Sequence, residues 1–184
     1  PTPSSAASDV YKRQADSEWM NSLTRPSKAL SAALTLLGSW IVFLTFVNIA
    51  IGAYSEGRKV LWIDFLTGVR ESSTTDMAFV TDDILFGLIG LAIIGLGARG
   101  MNTTHESGFV GWLRGLPKCV VGSLFSSEGG TNNLISSWLV ALGVIFYVVW
   151  SMNENTWVDP GVYSVAVVLI SFGVGMGLLE SSSN

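Results

Sequence analysis

Apolar residues in this chain do not alternate with polar ones at the period of a soluble helix or strand. They gather into long runs nearly free of charge. Residues 29–54, 134–152 and 161–179 each hold at least 18 residues without a charged side chain. At about 1.5 Å of rise per residue, some 20 such residues cover the ~30 Å hydrocarbon core of a bilayer. A fourth run, Ile84–Ala98, has 15 apolar residues, only about 22 Å of helix and short of a crossing. Its helix is therefore expected to begin upstream and to occupy 79–98, which puts Asp82 and Asp83 at or just inside headgroup level. Asn153–Pro160 is short enough to force the last two spans into an antiparallel hairpin.

Two connecting segments are too apolar for ordinary loops. Over 108–125, helical spacing gathers Phe109, Trp112, Leu113, Leu116 and Val120 on one side, with Gly111, Arg114, Gly115 and Lys118 opposite. That is the pattern of a helix lying in the membrane interface, with Arg114 and Lys118 as contacts for lipid headgroups. Pro117 is expected to kink or end it. Residues 60–69 repeat the pattern more weakly, with Leu61, Trp62, Phe65, Leu66 and Val69 against Asp64, Thr67 and Gly68. The architecture predicted is an all-α membrane protein: a four-transmembrane-helix bundle with one or two interfacial amphipathic helices. It forms one membrane domain over 29–182 behind a polar tail over 15–28.

Composition agrees. Hydrophobic residues are 49% of the chain and charged residues 13%, against about 25% charged in soluble domains. Ser4–Gln14 reads SSAASDVYKRQ, which resembles the in-frame translation of the adapter used in transposase-based sequencing libraries. Residues 1–14 are accordingly expected to be read-through, and the native N-terminus to be missing. Without Asp9, Lys12 and Arg13 the chain holds 8 Lys+Arg and 13 Asp+Glu, a balance that offers nucleic acid no basic field. Expected partners are membrane lipids and other membrane helices, in a homo-oligomer or a complex.

Lys and Arg near the spans predict orientation. Arg25, Lys28, Arg99, Arg114 and Lys118 fall on the side of both termini, and Arg58, Lys59 and Arg70 on the other. Both termini of this multi-pass cell-membrane protein are thus expected in the cytoplasm, where the sequon Asn102-Thr103-Thr104 stays unglycosylated. Lys59 is read as a cation snorkelling at the end of the first span.

Packing signals exceed chemical ones. In the last span Gly173 and Gly177 form a GxxxG pair, and Ser171 with Gly175 a second small-xxx-small pair. In the second span Gly87, Gly90 and Gly97 share a side. Small residues let helices approach in lipid, where hydrophobicity contributes little to association. Asn48, the one strongly polar residue inside the first span, is expected to hydrogen-bond another helix. Asp82 and Asp83 are expected to cap the second span's N-terminus, the alternative being an intramembrane transport path shared with Asn48.

Reactive groups are few. Gly95–Gly100 spells GxGxxG, but it follows an apolar span rather than a strand, so a glycine-rich helix end capped at Gly100 explains it better than a dinucleotide site. His105 and Cys119 are each the sole residue of their kind, which leaves no histidine or cysteine metal set, and no catalytic, cofactor or metal residue is assigned. The expected role is an interaction, accessory or assembly component and not an enzyme. The alternative is a small oligomeric transporter or channel using Asn48 and Asp82/Asp83; an enzyme holding a phosphorylated headgroup at Arg114–Lys118 is a third class.

Overall fold

A computed structural model of the chain describes residues 26–68, 73–74, 80–125 and 130–183. Residues 1–14, expected to be read-through, most of the tail over 15–28, and Val69 and Arg70 lie outside the described residues. Every long element is helical: α1 Lys28–Ile51, α2 Trp62–Thr67, α3 Thr81–Thr104, α4 Gly108–Phe125, α5 Gly130–Asn153 and α6 Pro160–Ser183. Among the described residues a short antiparallel ladder pairs β1, Lys59–Val60, with β2, Ser73–Thr74. Among the described residues four helices, α1, α3, α5 and α6 as far as Glu180, are long and apolar enough to cross a membrane. Their most apolar stretches have mean hydropathies of 2.1, 1.9, 2.0 and 2.2.

Helix ends are set by local chemistry. α1 stops at Gly52, whose φ of 77° is left-handed and whose N–H closes on Asn48 O at 3.2 Å. A side chain at Gly52 would collide with the carbonyl of Gly57, so the turn requires glycine for space as well as for φ. α6 begins with Pro160 at its first position, after Asp159 Oδ1 accepts the N–H groups of Gly161 and Val162 at 2.7 and 3.0 Å.

Three expectations are corrected. Gly100 does not cap the second span: α3 continues to Thr104, because the bare Gly100 backbone lies against Ser31 and Pro26. Thr103 and Thr104 then fold their hydroxyls back onto Gly100 O, both at 2.8 Å. Of the two outcomes expected at Pro117, a kink or an end, the end does not occur: α4 runs through it to Phe125. Residues 60–69 are not one amphipathic helix: Val60 belongs to the ladder, and only Trp62–Thr67 is helical before Gly68 turns left-handed at φ 75°.

The chain divides into two compact units, Pro1–Trp40 with Ile89–Leu113 and Ile41–Leu88 with Arg114–Asn184. In the first, the glycine face of α3 meets α1. A Cβ on Gly97 would stand 2.7 Å from Thr35 N, and one on Gly38 would stand 2.7 Å from Gly90 O. Ser31 and Thr35 bond back to Ser27 O and Ser31 O at 2.9 Å, so no bare hydroxyl enters this contact. In the second unit α5 and α6 pack closely. Ser136 Oγ donates to Gly173 O at 2.7 Å, and a Cβ at Gly173 would fall 2.7 Å from Ser136 O.

Candidate functional site

Within the second unit, the turn after α1 carries the chain back beside the helix it has just left. Asn48, Lys59, Val60, Trp62 and Asp83 are all buried there. Asn48 Nδ2 donates to Val60 O at 2.9 Å and to Asp83 Oδ1 at 2.8 Å, while its Oδ1 accepts from Val60 N at 2.7 Å and Ala53 N at 3.2 Å. One amide thus fills both its donor and both its acceptor positions. It ties α1 to α3, to β1 and to its own C-terminal turn.

Asp83 is the centre of charge. Lys59 Nζ lies 2.6 Å from Asp83 Oδ2, and both side chains have no exposed surface. Trp62 Nε1 donates to Asp83 Oδ1 at 3.1 Å, and the Trp62 ring stacks on Phe86 of α3 with centroids 4.1 Å apart. Asp82 receives Trp62 N on Oδ2 at 2.6 Å; its Oδ1 is buried without a hydrogen-bond partner. Asp82 and Asp83 both stand in the first turn of α3, the end of a helix whose dipole favours acidic side chains. Asp83 also reaches back to Val80 N at 3.5 Å, the position of a capping-box acid.

Lys59 corrects the sequence reading. It does not snorkel to water; β1 turns its side chain inward, where the ammonium meets a carboxylate. Nothing local marks that pairing, since an Arg-Lys pair after a span reads as an interfacial anchor. The available signal was topological: Lys59 follows the first span and Asp83 opens the second, so both stand at the same end of two consecutive spans.

A second set of bonds fastens this turn to the α5–α6 connection. Ala53 O accepts from Trp157 N and Val158 N at 2.8 and 2.9 Å, and Gly57 N donates to Asn155 O at 3.2 Å. Trp157 O in turn accepts the hydroxyls of Tyr147 and Tyr163 at 2.6 and 2.8 Å, and those rings stack 5.6 Å apart. Phe43 of α1 meets Trp157 edge-on at 5.3 Å. Trp157, Tyr147 and Tyr163 carry no local signal in the sequence that marks them for this contact.

The remaining candidate residues are dispersed. Gly173 and Gly177 lie against α5, whereas Gly175 has open space around it and Ser171 is exposed. Gly87 meets Thr45 Cγ2 at 3.4 Å by the same hypothetical Cβ. Arg114 and Lys118 are exposed on α4. His105 Nδ1 engages Ser107 Oγ at 2.9 Å, and Cys119 is an exposed free thiol. Among the described residues no three His, Cys, Asp or Glu side chains gather as a metal set. No protein-family model, curated protein or solved structure matches the chain.

Proposed function

We propose that the chain is an integral membrane component that works by holding other membrane helices, its own four spans forming a bundle with both termini in the cytoplasm. The observation that carries this reading is the closure of the polar cluster. Asn48 has all four hydrogen-bonding positions filled, and Asp83 is matched to Lys59, Asn48 and Trp62. An ionisable residue at membrane depth usually serves a path or a partner; here the partner is internal, and its work is to fix the turn after α1.

The surface left free is apolar. Only 17% of the apolar stretch of α6 is buried, and Val168 and Phe172 on it are more than 60% exposed. Close packing against further helices is the means of association open to such a surface in lipid. The cation distribution, with Arg25, Lys28, Arg99, Arg114 and Lys118 on the side of the termini, supports the orientation. Purification in mild detergent followed by light scattering tests the role: a stable oligomer or a co-purified subunit is expected, and a monomer that conducts ions in liposomes overturns it.

One observation favours the transport reading, the bare Oδ1 of Asp82. Its test is separate. Asp82→Asn keeps an oxygen for Trp62 N, so proton and cation flux in liposomes is expected to be the same with and without the substitution; a loss of flux in the variant assigns Asp82 to a path.

A further inference from the structure

Where α5 ends and α6 begins, two aromatic rings stand between two hollows. Phe146 and Trp150, one turn apart on α5, have ring centroids 5.9 Å apart and an interplanar angle of 37°. On one side they border a hollow of about 260 Å³ with Leu142, Ile145 and Val149 of their own helix. On the other they border one of about 240 Å³ with Asp159, Gly161, Val162 and Val165 at the start of α6. Trp150 is 44% exposed, so its ring is open to an occupant and not spent on the core.

Only the second hollow carries charge. Asp159 is the one ionisable residue among those that line it, and neither Lys nor Arg is with it. The two capping bonds to Asp159, from Gly161 N and Val162 N, both fall on Oδ1, so neither uses Oδ2. A carboxylate beside aromatic rings selects a cation, because the ring quadrupole and the acid attract the same sign of charge. The rest of the wall decides which cation. A primary ammonium brings three N–H donors to a hollow whose side chains offer an acceptor only at Asp159, and an alkali ion gains nothing from Val162 and Val165. A quaternary ammonium has no N–H to satisfy, and its methyl surface suits both the rings and the valines.

Depth points to the source of that group. From Pro160 to Val165 α6 climbs about 8 Å, and the headgroup layer is roughly 5–8 Å deep on each side of the hydrocarbon. Trp150 lies in the last turn of α5 and Asp159 just ahead of α6. The hollow thus stands at headgroup level.

We propose that this hollow holds the quaternary ammonium of a phosphatidylcholine headgroup, set against the rings of Phe146 and Trp150 and paired with the Asp159 carboxylate. The lipid belongs to the leaflet that meets the α5–α6 connection. The inference rests on the membrane reading of α5 and α6 and is independent of the assembly role.

Native mass spectrometry on protein purified in mild detergent, with phosphatidylcholine, phosphatidylethanolamine or phosphatidylglycerol added, tests it. Wild type is expected to retain one phosphatidylcholine about five-fold better than either other lipid, the order that a partly exposed cation–π contact and ion pair together allow. Asp159→Asn removes the charge but keeps an oxygen for the α6 cap, since asparagine caps as well as aspartate. Trp150→Leu removes the ring at an exposed position and keeps an apolar side chain. Each should bring phosphatidylcholine down to the phosphatidylglycerol level, whereas Trp138→Leu, on the same helix, 42% exposed and outside the hollow, should leave the preference intact. Equal retention of phosphatidylcholine and either comparator by wild type, an undiminished preference in Asp159→Asn or Trp150→Leu, or the same loss in Trp138→Leu each overturns the proposal. So does an adduct of choline chloride added without lipid, which would make a free solute the occupant. Protein that remains in solution without detergent fails the membrane reading instead.

Discussion

Lys59 Nζ stands 2.6 Å from Asp83 Oδ2, with neither side chain exposed. Removing one partner of such a pair strands a charge and costs roughly 3–5 kcal/mol, whereas replacing both with apolar residues is often neutral. Lys59→Met and Asp83→Leu should therefore each be strongly destabilising, and the double variant should recover most of the loss. A double-mutant cycle by chemical unfolding in detergent measures the coupling; additive losses would deny the pair its place at the centre of the turn.

Asn48 serves four partners, so its loss exceeds that of a typical single bond. Asn48→Ala leaves the buried N–H groups of Ala53 and Val60 without their acceptor, at about 1–3 kcal/mol each. Hydrogen exchange should show these two amides losing protection first. Continued protection at both would show that the turn holds without Asn48.

Gly52 and Gly68 form a natural control pair. Both have left-handed φ, 77° and 75°, but a Cβ at Gly52 collides with Gly57 O while one at Gly68 meets nothing. Gly68→Ala is expected to cost about 1–2 kcal/mol, the penalty of the left-handed backbone. Gly52→Ala should cost clearly more, and thermal melting in detergent reads the difference. Equal shifts would mean the turn after α1 yields without loss.

Trp157 O accepts two tyrosine hydroxyls. Either Tyr147→Phe or Tyr163→Phe leaves the carbonyl with one donor, so each should cost about 1 kcal/mol or less. The double variant should cost more than the sum, since only then is a buried acceptor bare. Simple additivity in unfolding titrations would contradict the shared acceptor.

How much of this was legible beforehand follows from what carries each feature. The apolar helices were readable because bilayer thickness converts directly into a run length, and the end of α6 set by Asp159 and Pro160 is likewise local chemistry. The extension of α3 past Arg99 was not, because the reason lies in Ser31 of α1 and Pro26 just ahead of that helix. Asn48 announced itself as a polar residue in an apolar run, yet its hydrogen-bond partners on Ala53 and Val60 depend on a turn whose geometry rests on Gly52. Lys59 was misread for the same cause: a charge's destination depends on tertiary neighbours, and its sequence neighbours Arg58 and Val60 do not encode them.

The join between the turn after α1 and the α5–α6 connection is made of main chain: the carbonyl of Ala53 held by two consecutive amides. Such a fastening asks for no particular side-chain chemistry at positions 53 and 158; their burial limits what stands there to small or apolar residues. Only a residue lacking an amide hydrogen interrupts it. Proline at 157 or 158 is thus the substitution to which this seam is vulnerable.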